Sequence, residues 1–162
     1  MPASRGAAPS VPAWLVPAQA GLAAAHVVSG GPRLPVPDRA VAPVRVVGAV
    51  AVVTGLATAG VSAAGLGRDL TASPVPRDGA ALRTRGAFAR VRHPVYLGLL
   101  VASGGAVLAR QRVTTLLAAC GLAGLLHVKA GVEDRVLEER FGQEWRDYAA
   151  RVPRLVPGLR WS

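Results

Sequence analysis

Aromatic residues are scarce in this chain: two Phe, two Tyr and three Trp among 162 residues. A water-soluble core would therefore have to be built with few large side chains. There is one cysteine, Cys120, set inside an apolar run, which excludes a disulfide framework and a paired-thiol metal site and reads as a small buried hydrophobe. The three histidines, His26, His93 and His127, stand far apart with no His or Cys at ligand spacing, so no metal centre is expected. No G-x-x-x-x-G-K-[ST] phosphate loop occurs. Acid is short as well, nine carboxylates against 19 cations for a net charge of +10. No basic run is interleaved with aromatics, so the surplus does not describe a nucleic-acid tract.

What is present is small and apolar. Hydrophobic residues make up 51% of the chain, mean hydropathy is +0.36, and Ala, Val, Leu and Gly dominate. Ordinary soluble domains sit near 45–50% apolar with glycine included; adding the 19 glycines here gives about 62%. Such an alphabet suits closely packed helices in a membrane. The charge is uneven: residues 1–128 carry twelve Arg and three Asp, residues 129–162 seven cations and six carboxylates. The surplus thus lies between apolar segments, where it reads as topology signal and headgroup contact.

Residues 1–12 read as a mobile tail. Residues 13–30 are uncharged but interrupted by Pro17, Gln19 and His26, a weak first membrane helix or, alternatively, a signal peptide. Residues 31–45, with four prolines, read as a loop. Residues 46–67 are 22 uncharged residues, long enough to span a hydrocarbon core of about 30 Å. Within them Gly55, Ala59, Ala63 and Gly67 recur every fourth position, a small-residue stripe suited to close packing. Residues 68–94 form a basic loop with six Arg and two Asp. Two short apolar runs, 95–109 and 113–128, flank Arg110-Gln111-Arg112 and predict a hairpin, which spans if Pro94 opens the first helix and the second continues past Val128. Counting cations puts loop 68–94 and the C-terminus in the cytoplasm but strands Arg110 and Arg112 outside, so a re-entrant hairpin is the alternative. The last 34 residues are charged and helical through about Arg140, broken at Phe141-Gly142, with Trp145, Tyr148 and Val152 giving a second short helix one apolar face. The expected fold is an all-α polytopic membrane bundle of about four transmembrane helices, the last two a short hairpin, with a C-terminal cytoplasmic helical segment. Residues 1–45 form its N-terminal part and residues 46–162 its core.

Two separated motifs carry chemistry. Thr84, Gly86, Phe88, Val91, Arg92, His93, Pro94, Tyr96 and Gly98 fill a pattern T-x-G-x-[FY]-x-x-[VS]-R-H-P-x-Y-x-G. Glu133, Leu137, Phe141, Gly142, Tyr148, Val152 or Pro153, Arg154 and Pro157 fill a second pattern downstream. In this order they resemble the integral-membrane methyltransferase family of isoprenylcysteine carboxyl methyltransferases and phospholipid N-methyltransferases, over about residues 46–157. Two positions depart from it: Asp134 stands where the family usually has a second Glu, and Trp145 where it often has Tyr.

The resemblance implies S-adenosylmethionine as cofactor, held by Gly86, Arg92, His93, Pro94, Tyr96, Gly98, Glu133, Asp134 and Tyr148 with residues 129–157 as cofactor-binding helices. It implies a lipophilic acceptor, an isoprenylcysteine-type carboxylate or a lipid amine, oriented by Arg92 and Arg154 as catalytic residues. The residue types suit that cofactor. Pro94 fits the first position of a helix whose free N–H groups near Val95 and Tyr96 hold an anion, Arg92 can grip a carboxylate, and Glu133 and Asp134 can accept from an ammonium or a ribose diol. His127, two turns earlier, is read as an interfacial residue on roughly the same face. No acidic-Gly-x-Gly motif of soluble Rossmann-type methyltransferases is present, so such a site is expected at helix ends. Two other readings stand beside this one: a sterol-reductase-like enzyme using NADPH, and a non-catalytic membrane protein that keeps the motif. No obligate protein partner is evident.

Overall fold

The computed structural model describes residues 14–28, 30–67 and 81–158. The expected tail 1–12 and most of the basic loop, residues 68–80, lie outside the described residues. The described chain is all-helical: α1 (Leu15–Val28), α2 (Asp38–Leu66), a 3-10 turn (Gly86–Ala89), α3 (Pro94–Arg110), α4 (Val113–Phe141) and α5 (Gln143–Arg151). No strand occurs among the described residues, and one isolated bridge, Arg33 with Arg112, ties the α1–α2 connection to the hairpin turn.

Helix α2 begins eight residues before the expected span, inside the segment read as a loop. Pro37 precedes its first residue in an extended conformation and Asp38 occupies the first turn, where a carboxylate complements the positive helix end. Pro43 lies inside the helix and removes only the bond to the Arg39 carbonyl, a loss the helix tolerates near its start. Two helices, α2 and α4, each of 29 residues and about 43 Å long, are long and apolar enough to cross a membrane. Helix α3, with 17 residues, and α1, with 14, fall short of the roughly 20 a span requires. On α2 the large aliphatics Val46, Val47, Val50, Val53, Leu56 and Val61 are all exposed. That distribution suits a helix facing lipid and is the reverse of a soluble core helix.

Helices α2 and α3 pack antiparallel at backbone contact. A Cβ built on Gly98 would lie 2.6 Å from the Gly55 carbonyl and 2.5 Å from the Ala59 nitrogen; one on Gly55 would lie 2.4 Å from the Ala102 nitrogen. Only glycine permits this approach. The buried stripe on α2 is Gly48, Gly55, Ala59 and Ser62, so the expected positions Gly55 and Ala59 take part while Gly67 is exposed. A strict four-residue spacing winds about 40° around a helix per step, whereas a seven-residue spacing drifts only about 20° and stays on the partner.

Helix α4 joins the remaining elements. Tyr96 of α3 and Leu122, Leu126 and Ala130 of α4 form a buried cluster, covered by Leu22, Val95, Leu99, Leu100 and Leu155. Helix α1 lies along α4, with Leu22 against Gly121. Its His26 Nδ1 lies 2.8 Å from the Leu22 carbonyl, and its Nε2 lies 2.6 Å from the Ser103 hydroxyl of α3. Cys120, expected to be buried, is exposed on the outward face of α4. The C-terminal reading is borne out: α4 runs to Phe141, Gly142 breaks it with a φ of 56°, and Trp145, Tyr148 and Val152 are buried.

Candidate active site

The site forms where the N-terminus of α3 meets the charged C-terminal third of α4. Glu133 and Asp134, expected just beyond the hairpin, are instead inside the continuous helix α4, one turn after Lys129. Neighbouring positions on a helix differ by about 100°, so the two carboxylates point to different sides.

Asp134 is only 3% exposed and is fully engaged. Its Oδ2 accepts from Arg92 Nη2 at 3.0 Å and Arg154 Nε at 2.7 Å, and its Oδ1 from His93 Nε2 at 2.9 Å. Arg92 Nη1 also donates to the carbonyls of Ala149 and Val152, at 3.1 and 3.2 Å, and its guanidinium stacks over Trp145, 5.3 Å from the ring centroid. The backbone N–H groups of Arg92 and His93 donate to the carbonyls of Pro153 and Arg154. Tyr148 donates its hydroxyl to the Phe88 carbonyl at 2.7 Å. These bonds close the segment after α5 against the segment before α3 and fix the direction in which α3 starts.

Glu133 belongs to an open space. Its Oε1 accepts from the Tyr96 hydroxyl at 2.5 Å, and its Oε2 lies 3.3 Å from His93 Nδ1. Both ring nitrogens of His93 therefore face carboxylate oxygens, and only the doubly protonated imidazolium can donate to both. Burial alone would lower the His93 pKa; the hydrogen bonds and charges of Asp134 and Glu133 outweigh it and raise the pKa above its ordinary 6.5. The His93 and Tyr96 rings stack with centroids 5.4 Å apart and planes 4° from parallel.

A cavity of about 440 Å³ opens on this side, lined by Gln19, Leu66, Phe88, Arg92, His93, Pro94, Val95, Tyr96, Leu99, Lys129 and Glu133. Pro94 has no N–H, and that of Leu97 goes to the His93 carbonyl at 3.0 Å. The amides of Val95 and Tyr96 thus lack an acceptor within the helix, and both residues line the cavity. A second cavity of about 390 Å³ lies across the Arg92–Asp134 wall, lined by His127, Gly131, Asp134, Arg135, Trp145 and Arg154 among others.

The sequence-predicted residues therefore divide into groups. Arg92, His93, Pro94, Tyr96 and Glu133 meet at the first cavity. Asp134 and Arg154 face the second, together with His127, which is consequently on the opposite side from Glu133. Tyr148 braces the wall from behind. Gly98 lies in the α2–α3 contact, where its lack of a Cβ is used for packing. Gly86, with φ of 66°, starts the 3-10 turn and lines a third cavity with Val61, Ser62 and Gly65. Sequence reasoning missed Gln19 and Lys129. Lys129 is the one lysine among the 19 cations, at the end of an apolar run and one turn before Glu133, and that singularity was the available signal.

A helical bundle with exposed aliphatics along α2 and two helices long and apolar enough to span is the architecture of a membrane protein, its charged groups gathered where α4 passes the start of α3. Residues 44–144 match the family model described as phospholipid methyltransferase, and the chain belongs to this family. It is also 39% identical over 70 residues to methanethiol S-methyltransferase 1 of Bradyrhizobium diazoefficiens, a match covering 43% of this chain and 24% of that protein's length. Family membership is thus shown over residues 44–144, the chain matches only about a quarter of the length of that relative, and two of its helices have the length and composition to span a membrane.

Proposed function

We propose that the chain transfers a methyl group from S-adenosylmethionine to a lipophilic acceptor at the membrane boundary, with its C-terminal segment in the cytoplasm. The observation that carries this reading is the 440 Å³ cavity, which is lined both by the first turn of α3 and by Glu133. Its volume falls within the roughly 300–1,000 Å³ usual for small-molecule sites. Its chemistry fits the cofactor: the Val95 and Tyr96 amides suit a carboxylate, Glu133 suits an ammonium or ribose hydroxyls, and Leu66, Phe88 and Leu99 offer an apolar wall. When bound, the cofactor supplies an electrophilic methyl group on a sulfonium.

The chain's own residues contribute positioning. His93 and Tyr96 hold both oxygens of Glu133 in one orientation, and Asp134 holds the Arg92–His93 segment from behind. In-line displacement at a methyl carbon depends on such alignment, and an acceptor that is already ionised needs no general base. The acceptors expected from sequence are a carboxylate and a lipid amine; the methanethiol enzyme adds a thiol to the set. The test is transfer of labelled methyl groups by the detergent-purified chain to a total lipid extract, prenylcysteine analogues and alkyl thiols. Label in an extractable product, abolished by Glu133→Gln, is expected. A folded wild-type chain that methylates none of these acceptors would sink the proposal.

A further inference from the structure

Lys129 is the feature of the cavity that the cofactor chemistry leaves unused. It is 2% exposed, lines the 440 Å³ space, and its ammonium donates to Gln19 Oε1 of α1 at 3.0 Å while sitting 5.4 Å from the Tyr96 ring centroid. Among the described residues no carboxylate lies within ion-pair distance of it. The nearest acid in sequence, Glu133, already gives one oxygen to Tyr96 and the other to His93. Among the described residues its one hydrogen-bond partner, Gln19, is neutral; an enclosed ammonium so placed is costly, and inside a membrane helix such a group marks a function by default. Of its three N–H donors, Gln19 takes one.

The surrounding charge points the same way. Four cations, Arg92, His93, Lys129 and Arg154, stand around two carboxylates, Glu133 and Asp134. S-adenosylmethionine would add two positive groups and one carboxylate, deepening the excess. A cationic acceptor entering beside Lys129 meets like charge, whereas an anion supplies the missing partner.

We infer that Lys129, with Gln19 as its orienting partner, is the acceptor-binding residue of this cavity and selects a nucleophile that reacts as an anion, a thiolate or a carboxylate, over an amine. The inference rests on the methyl-transfer reading and narrows its acceptor. In the step, a lone pair on the acceptor's sulfur or oxygen forms the bond to the methyl carbon. The bond from that carbon to the donor sulfur breaks, its electron pair stays on the donor sulfur, and a neutral thioether or ester results. A thiol loses its proton to solvent before the step, and Lys129 stabilises the thiolate that remains.

Calorimetric titration of the full chain in detergent with hexanoate and with hexylamine, without cofactor, tests the site independently of turnover. Hexanoate is expected to bind saturably and hexylamine not to. Lys129→Gln should weaken hexanoate at least about tenfold, while Lys129→Arg, which keeps the charge, should stay within about threefold of wild type. Hexylamine binding as tightly as hexanoate, or hexanoate binding unchanged in Lys129→Gln, would overturn the assignment. The wild-type comparison decides even if a variant does not fold. Methyl-transfer assays with hexanethiol, a prenylcysteine and phosphatidylethanolamine vesicles then separate thiolate from carboxylate, and methylation of the vesicle amine by the wild type would also overturn it. Failure of S-adenosylmethionine to bind would sink the methyl-transfer reading while leaving the hexanoate result to be judged by itself.

Discussion

Replacing Asp134 with Ala removes the acceptor of three charge-assisted hydrogen bonds, from Arg92 at 3.0 Å, Arg154 at 2.7 Å and His93 at 2.9 Å. The donors do not suffer equally. The Arg154 side chain is 29% exposed and can turn to solvent, so its share is small, whereas Arg92 and His93 are enclosed: Arg92 is left without a counter-ion and His93 keeps only Glu133. Breaking a buried pair by removing one partner costs about 3–5 kcal/mol, and that is the expected loss here. Asp134→Asn keeps the volume and one acceptor oxygen, but it turns an amide NH2 toward a cation. Its loss should be smaller, near the roughly 1.5–3 kcal/mol of one charge-assisted bond. Glu133→Gln should cost less than either, because Gln still accepts from Tyr96 and the group borders open space. Thermal and denaturant unfolding in detergent, followed by tryptophan fluorescence, to which Trp145 beneath Arg92 contributes, measures the series. A loss below about 1 kcal/mol for Asp134→Ala would refute the view that this carboxylate closes the wall behind the cavity.

Two further outcomes follow from the geometry. Gly98→Leu places side-chain atoms where a Cβ alone already lies 2.6 Å from the Gly55 carbonyl; α2 and α3 must separate, costing at least about 1–3 kcal/mol, with a lowered unfolding temperature as readout. The His93 pKa is raised on folding, so its contribution to stability is complete below about pH 6.5 and is lost as pH rises through the folded value. Unfolding temperature should therefore fall as pH is raised above 6.5, and His93→Gln should remove that slope; an identical slope in the variant would contradict the imidazolium assignment.

Much of this arrangement was legible in the sequence because it rests on local signals. Twenty-two uncharged residues announce α2, Pro94 announces the start of α3, and Gly142 separates α4 from an α5 whose buried face is spelled by Trp145 and Tyr148, with Val152 buried just after its end. The structure brings Arg92, His93, Tyr96 and Glu133 of the two motifs to one cavity. What escaped depends on azimuth and on distant pairing. Adjacent carboxylates at 133 and 134 look equivalent in a string, but the 100° between them sends one to the cavity and the other into the wall. Gly98 sits inside a motif yet meets Gly55, 43 positions away, and Gln19 reaches Lys129 across 110 positions. The start of α2 was hidden by prolines at 37 and 43, the first of which precedes the helix and the second of which the helix absorbs.

The central claim is that the space between the α3 N-terminus and Glu133 is a methyl-donor site. Equilibrium titration of S-adenosylmethionine against the detergent-purified wild-type chain and Glu133→Gln tests it most directly, with a reduced nicotinamide as the control ligand. The account predicts saturable binding of S-adenosylmethionine, weakened at least about tenfold by the substitution, and no saturable binding of the nicotinamide. A folded wild-type chain that binds no S-adenosylmethionine, or a Glu133→Gln chain that binds it equally well, would contradict the account.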